Sequence, residues 1–292
     1  MFDIAGIYRA ASLDDALRAY AADPQAVVIA GGTDVLIKIR EGKLAGCRLL
    51  SINGLAELRG IRLADNGDIL IGPLTTFAEA EHSELLLKRL PMLAAAAGSA
   101  GGPQLREAGT LGGNICNGVT SADTAAVQLA LEAGLTLRSA DKQRRLAIAE
   151  WYKGPGQVDL RAGELLTEIR IKKDAYVGWG GEYIKYAMRN AMDIATLGCA
   201  VAVRLSEDKK RIAEARLAFG VAAPTPMRAL QAETALAGMT IAEARERIAA
   251  LVRAEINPRT SWRASREFRM QIAGESAARA LAAAVKRAGG EC

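Results

Sequence analysis

The spacing of apolar and polar residues changes along the chain, and each change marks an element. Leu13, Ala16, Leu17 and Tyr20 recur at helical spacing after Ser12, with Asp15 three positions on, which predicts an N-capped helix over residues 12–22. Asp23-Pro24 stops it. Ala26 to Ala30 is a short buried-strand pattern, and Gly31-Gly32-Thr33-Asp34 leads from it into the apolar run Val35-Leu36-Ile37, giving strand, glycine turn and helix. Arg48 to Ile52 and Ile69 to Ile71 read as further strands, the second behind the turn Asp65-Asn66-Gly67-Asp68. A helical stretch covers 76–98 with a break at Pro91, and glycines then crowd residues 98–118 too densely for a helix interior. Strand patterns resume at Leu135-Thr136-Leu137, Leu165 to Ile171, Ala200 to Leu205 and Ala213 to Val221; after Pro224 and Pro226 an Ala-rich helical stretch runs to the C-terminus. The expected organisation is an α/β unit at 1–55, an α+β unit at 56–177 and a third unit at 178–292, without an internal repeat.

Composition narrows the function more than the fold. Aromatic residues make up only 4% of the 292 positions, too few for the stacking platforms of single-strand nucleic-acid binding. The net charge of +5 comes from 38 basic residues interspersed with 33 acidic ones, with no long basic block to meet a polyanion. The densest basic cluster, Lys142, Arg144 and Arg145, reads as a solvated hairpin turn, and Arg263, Arg266 and Arg269 read as one solvated or subunit-facing helical face. Cys47, Cys116, Cys199 and Cys292 have no C-x-x-C spacing, which argues against a disulfide framework and against an iron–sulfur cluster of the chain's own. The N-terminus lacks a basic start and apolar run, and no stretch of about eighteen apolar residues follows, so the expected location is the cytoplasm.

Two glycine-rich segments carry the candidate chemistry. Backbone N–H groups around Gly31-Gly32 are expected to line a nest for a diphosphate beside a helix start, with Asp34 capping the helix or facing hydroxyls; a purely structural turn is the competing reading. Thr110-Leu111-Gly112-Gly113-Asn114 and the following residues to Asp123 offer close backbone approach, then hydroxyl, amide and carboxylate groups suited to a sugar-phosphate. A loop capping a helix that starts near Ser121 explains the same residues equally well. No G-x-G-x-x-G or G-x-x-x-x-G-K-[ST] motif is present. His82, the only histidine, falls in a polar helical turn and is not expected to be catalytic. With so few acid–base groups, no catalytic residue is assigned, and a cofactor is expected to do the chemistry.

The spacing of Ala30-Gly31-Gly32-Thr33-Asp34 and Thr110-Leu111-Gly112-Gly113-Asn114 resembles the FAD-binding (medium) subunit of molybdenum hydroxylases, a family including xanthine dehydrogenase, carbon monoxide dehydrogenase and hydroxybenzoyl-CoA reductase. The resemblance spans essentially the whole chain. Lys185-Tyr186-Ala187-Met188-Arg189, Ala191-Met192-Asp193-Ile194-Ala195, Phe219 to Pro226 and Ser261-Trp262-Arg263-Ala264-Ser265 are most similar to the bacterial xanthine dehydrogenase branch. It implies an α+β architecture, a two-subdomain FAD-binding fold of the vanillyl-alcohol oxidase type followed by a C-terminal α+β domain. It also implies contacts to FAD from Val27, Val28, Ile29, Ala30, Gly31, Gly32, Thr33 and Asp34, from Thr110, Leu111, Gly112, Gly113 and Asn114, and from Asp123, with Leu165 and Lys185 near the isoalloxazine.

In this reading Asn114 and Asp123 hold the ribityl-diphosphate portion, backbone N–H groups at Gly31 to Thr33 and Gly112-Gly113 take phosphate, and valine at Gly112 empties the site. The implied partners are a large subunit carrying the molybdenum cofactor and a small 2Fe–2S subunit, with NAD as electron acceptor and no metal site in this chain. Two departures stand out: Ser99-Ala100-Gly101-Gly102 is small where vertebrate members place an aromatic against the flavin, and the cysteine-bearing insertion of hydroxybenzoyl-CoA reductases is missing. A free-standing flavoprotein oxidase and a flavin-free scaffold subunit are the two rival readings.

Overall fold

The computed structural model describes residues 2–291; Met1 and Cys292 lie outside them. The chain begins with β1 (Ile4–Arg9), α1 (Leu13–Ala22), β2 (Val27–Ile29), α2 (Val35–Arg40) and β3 (Cys47–Ser51). Ser12 caps α1 as its spacing predicts, the hydroxyl accepting from Asp15 N at 3.1 Å. β1 and β2 flank β3, both parallel to it, because each is reached by a helical crossover. Leu13, Ala16 and Leu17 of α1 pack with Leu50 and Ile52. The hydrophobic pattern misses β1: it is an edge strand, mostly exposed and interrupted by Gly6.

The middle of the chain contains β4 (Ile61–Leu63), β5 (Ile69–Ile71), α3 (Phe77–His82), α4 (Glu84–Arg89), α5 (Pro91–Gly98), α6 (Pro103–Ala108), α7 (Leu111–Cys116) and α8 (Ala125–Ala130). It continues through β6 (Gly134–Arg138), β7 (Gln143–Ala147), β8 (Tyr152–Gly154), β9 (Gln157–Val158) and β10 (Leu165–Ile171). β4, β5, β10, β6 and β7 form one antiparallel sheet in that order. The stretch expected to be one helix broken at Pro91 is three short helices. Thr76 and Glu79 form a capping box on α3, and Ser83, in extended conformation, caps α4 and breaks the ladder between them. The basic cluster near 142 is at a hairpin, as expected, with Lys142 exposed in the turn between β6 and β7 and Arg145 exposed on β7; only Arg144 departs from a solvated position. Arg144 and Arg145 lie in β7, and Arg144 is bound by Glu164 at 2.8 Å and Asp159 at 2.9 Å, which hold its charge at the sheet edge.

A four-stranded antiparallel meander follows, made of β11 (Gly180–Tyr186), β12 (Leu197–Leu205), β13 (Ile212–Gly220) and β14 (Met227–Arg228), then α9 (Leu230–Leu236), α10 (Ile241–Glu255) and α11 (Arg266–Arg287). β12 is apolar from Leu197 to Val203 because both its faces are covered there. Cys199, Val201 and Val203 face the core beneath α10 and α11, whereas Ala200 and Ala202 join the core of the middle unit. Small residues on that second face bring the meander against α5 and α8, and so place its strand ends beside the 110–123 segment. The arginine stripe is a second correction. Arg263 precedes α11, and Arg269 is buried with its guanidinium bonded to Thr196 O and Ser261 Oγ. No helix among the described residues is long and apolar enough to cross a membrane.

Candidate functional site

The first glycine bend meets the segment that leads into the second. A β-carbon placed on Gly31 would lie 1.7 Å from the carbonyl oxygen of Ala108 and 3.2 Å from Gly109 N, so the first bend rests directly on the chain that enters the second. Lys38 of α2 closes the contact further along by donating to Asn117 Oδ1 at 2.7 Å. Gly32 adopts φ +75°, which a glycine tolerates. The N–H groups of Gly31, Gly32, Thr33, Asp34 and Val35 donate to nothing within the described chain, and the first intrahelical bond is Leu36 N to Gly32 O at 3.0 Å. Such a row of free backbone donors at a helix start suits an anion. Asp34, at the N-cap of α2, makes no capping bond and is exposed, which leaves its carboxylate for hydroxyls. Val27, Val28 and Ile29 form the strand beneath the bend and are half-buried, as is Ala30.

The second bend contributes differently from expectation. Thr110 caps α7 by accepting from Gly113 N at 3.0 Å, Leu111 N donates to Thr75 O, Gly112 N to Pro73 O and Asn114 N to Thr110 O. The amides of Gly112 and Gly113 are thus already spent and are not phosphate donors. Gly112 is required for another reason: an added β-carbon would sit 2.4 Å from Pro73 Cβ, so valine there disrupts packing behind the bend instead of blocking its mouth. Gly113, by contrast, is exposed, and an added β-carbon would meet only the capping hydroxyl of Thr110 within 4 Å. The free donors of this segment lie downstream, at the N–H groups of Val119, Thr120, Ser121 and Asp123. They are presented by an irregular stretch held at both ends. Gly118 O accepts from Gly156 N at 3.0 Å, and Thr120 Oγ1 both accepts from Val221 N and donates to Ala223 O.

Asn114 is oriented by residues that the sequence pattern does not single out. Its Oδ1 accepts from Thr124 N at 3.1 Å and Thr124 Oγ1 at 2.7 Å, and Gln128 Nε2 donates to that hydroxyl at 3.0 Å; Thr124 and Gln128 are buried. With the carbonyl occupied, only the Nδ2 donors of Asn114 remain for a ligand. Thr124→Val is expected to weaken flavin binding about tenfold by freeing that amide, and Thr124→Ser to restore it. Fluorescence titration of the flavin-free chain with FAD reads the difference; equal affinities for wild type and the valine variant would remove Thr124 from the site.

Asp123 and Lys185 come together from distant positions. Lys185 Nζ lies 2.9 Å from Asp123 Oδ1 and donates to Ser99 O at 2.9 Å, with both side chains nearly buried. Tyr183 hydrogen-bonds the same carboxylate and Ser99. Burial pushes the Asp123 carboxyl up to about 6, against the opposing pull of Lys185 and Tyr183. Leu165 does not join this cluster. Its side chain is 2% exposed and packs with Leu13, Leu17 and Leu50, so any contact to a ligand falls to its backbone. Burial drives the Cys116 thiol up to about 12, which keeps it protonated and unreactive, in line with a packing role. Above the small Gly101-Gly102 segment lies Met192, whose N–H donates to Gly101 O at 3.2 Å and whose side chain would sit 3.0 Å from a β-carbon on Gly102. His82 is exposed and only touches Ala78 O of its own helix.

The donor set suits a dinucleotide: two stretches of free amides on adjoining segments, amide donors on Asn114, and a carboxylate on Asp34 for hydroxyls. Comparison with known proteins agrees with this geometry. Residues 2–172 match the model of the FAD binding domain in molybdopterin dehydrogenase, and residues 182–284 that of the CO dehydrogenase flavoprotein C-terminal domain. The chain is 44% identical over 292 residues to the xanthine dehydrogenase FAD-binding subunit of Escherichia coli O157:H7, covering 100% of this chain and 99% of that one. It is 32% identical over 264 residues to the carbon monoxide dehydrogenase medium chain of Hydrogenophaga pseudoflava, covering 90% of each. A solved structure of carbon monoxide dehydrogenase from Hydrogenophaga pseudoflava superimposes with a TM-score of 0.91 at 31% identity, covering 97% of both chains. The chain therefore belongs to the FAD-binding subunit family of the molybdenum hydroxylases, with that family's α+β FAD-binding fold and its FAD cofactor.

Proposed function

We propose that this chain is the electron-transfer subunit of a xanthine dehydrogenase, receiving electrons from a small 2Fe–2S subunit, which draws them from a large molybdenum subunit, and passing them to NAD. The row of free amides from Gly31 to Val35, packed on the Ala108–Gly109 segment that leads into the second bend, carries the reading, because it fits the diphosphate of FAD and is hard to explain otherwise. Full-length identity to a xanthine dehydrogenase subunit supports the choice of complex. Bound there, flavin supplies the capacity to accept electrons singly and release them as a hydride.

The chain's own residues bind and orient. Gly31, Gly32 and Thr33 offer amides to one phosphate, and Val119 to Ser121 offer amides to a neighbouring group. Asn114, fixed by Thr124, donates through Nδ2 to the ribityl-diphosphate, and Asp34 accepts from hydroxyls. Lys185, held by Asp123 and Ser99, fixes the end of the second segment through its ion pair. Residues 1–55 and 56–177 are the two FAD-binding subdomains in this reading, 178–292 is the third domain, and the complex is cytoplasmic. Purification of the native complex tests it: molybdenum, iron and acid-labile sulfide should accompany this chain, xanthine should bleach its flavin, and NAD should restore the colour. A flavin-bearing chain that turns over a substrate with no molybdenum or iron present would favour a free-standing oxidase instead.

A further inference from the structure

Arg269 is 2% exposed, yet its guanidinium meets only neutral acceptors: Nε donates to Thr196 O at 3.2 Å, Nη2 to Ser261 Oγ at 2.8 Å, and Nη1 to Arg259 O. Burial, then the charges of Arg259 and Arg263, push its pKa down. Among the described residues, none of Arg259, Arg263, Arg266 and Arg269 forms an ion pair with a carboxylate. Glu267 is the nearest acid in sequence; its carboxylate accepts from its own N–H and from Ser265, and of the four arginines it feels the charge of Arg266. Two further polar atoms around Arg269 are shielded from water and without partners, Arg263 Nε and Thr196 Oγ1. A concentration of positive charge with buried, unused donors is costly unless an anion completes it.

The surroundings say which anion. Trp262 is 78% exposed, with the Arg263 guanidinium 4.2 Å from its ring centre on one face. Tyr186 and Phe268 meet edge to face, their centroids 5.7 Å apart, with Phe268 N bonded to Ser265 Oγ. A flat aromatic next to uncompensated guanidinium groups matches a base and its phosphates. The cluster is also tied to the Asp123–Lys185 pair: Thr196 N donates to Tyr186 O at 2.8 Å, and Tyr186 directly follows Lys185.

We propose that Arg259, Arg263 and Thr196 receive the diphosphate of a nucleotide, with Trp262 as the platform for its base. The ligand's role as electron acceptor rests on the function proposed above; its binding does not. The flavin-loaded chain, titrated calorimetrically with ADP and separately with inorganic pyrophosphate, should bind both. Arg263→Gln should weaken both roughly tenfold to a hundredfold, as expected for loss of a charge-assisted contact, and Trp262→Ala should weaken ADP alone. Both residues are on a surface loop, and unchanged flavin absorbance and thermal midpoint would show that the variants fold.

If the flavin-loaded wild type binds neither probe, the site is overturned while the flavin function stands. If the chain binds ADP but never holds flavin, the function fails and the site stands. Equal ADP affinity in wild type and Trp262→Ala overturns the nucleotide assignment in favour of a simple anion. Loss of assembly with a partner chain in Arg263→Gln, with ADP binding intact, overturns it in favour of a protein contact.

Discussion

Gly31→Ala is expected to yield a chain without flavin. The added methyl would overlap the Ala108 carbonyl oxygen at 1.7 Å, and the obstacle is backbone with no rotamer to yield. Ordinary overpacking costs about 1–3 kcal/mol, and this overlap exceeds what side-chain adjustment relieves. The first bend must lift away from the segment leading to Thr110, and the free amides from Gly31 to Val35 are displaced with it. Gly54→Ala is the control, since a β-carbon there meets nothing within 4 Å. Visible absorbance after purification gives the answer, with circular dichroism confirming that the variant has folded. Full flavin content in folded Gly31→Ala would show that the contact with Ala108 is not needed to hold the cofactor.

Breaking the Asp123–Lys185 pair should have the second-largest effect. Both side chains are nearly buried, so Lys185→Met leaves a carboxylate in a low-dielectric site and is expected to cost about 3–5 kcal/mol of stability. Replacing both, as in Asp123→Leu with Lys185→Met, should recover most of that loss while flavin binding stays impaired, because the stability penalty comes from the stranded charge. Recovered flavin affinity in the double variant would make the pair purely structural.

The same pair makes a pH signature. Burial holds the native Asp123 carboxyl at about 6, whereas the unfolded carboxyl ionises near pH 4. Between those values the native state binds more protons than the unfolded one. Stability contributed by this group is therefore fully present below about pH 4 and lost as pH rises through about 6. Urea titrations across that window should show the decline in wild type and a flatter profile in Asp123→Asn.

Local pattern made much of this molecule legible. Helical spacing after Ser12, the strand before Gly31, and the apolar runs of β10, β12 and β13 all depend on neighbours in sequence, and periodicity reports them directly. Resemblance carried the family and the cofactor, through the two glycine motifs and the Lys185 segment. β1 escaped because an exposed edge strand has no buried face to print on its sequence. Arg144 and Arg269 were misjudged because charge reads as exposure until a distant partner, Glu164 or Thr196, is seen to hold it.

The division is sharpest at the site itself. Sequence alone determined that two small, flexible bends exist, since glycine's freedom is a property of the residue. Only the tertiary structure decided which amides remain free, because an N–H is available solely when no carbonyl from elsewhere has claimed it. Pro73 and Thr75 claim those of Gly112 and Leu111, whereas nothing among the described residues claims those from Gly31 to Val35. The pairing of Asp123 with Lys185, and the hold of Thr124 on Asn114, arise in the same way: folding brings together groups that their order in the chain does not.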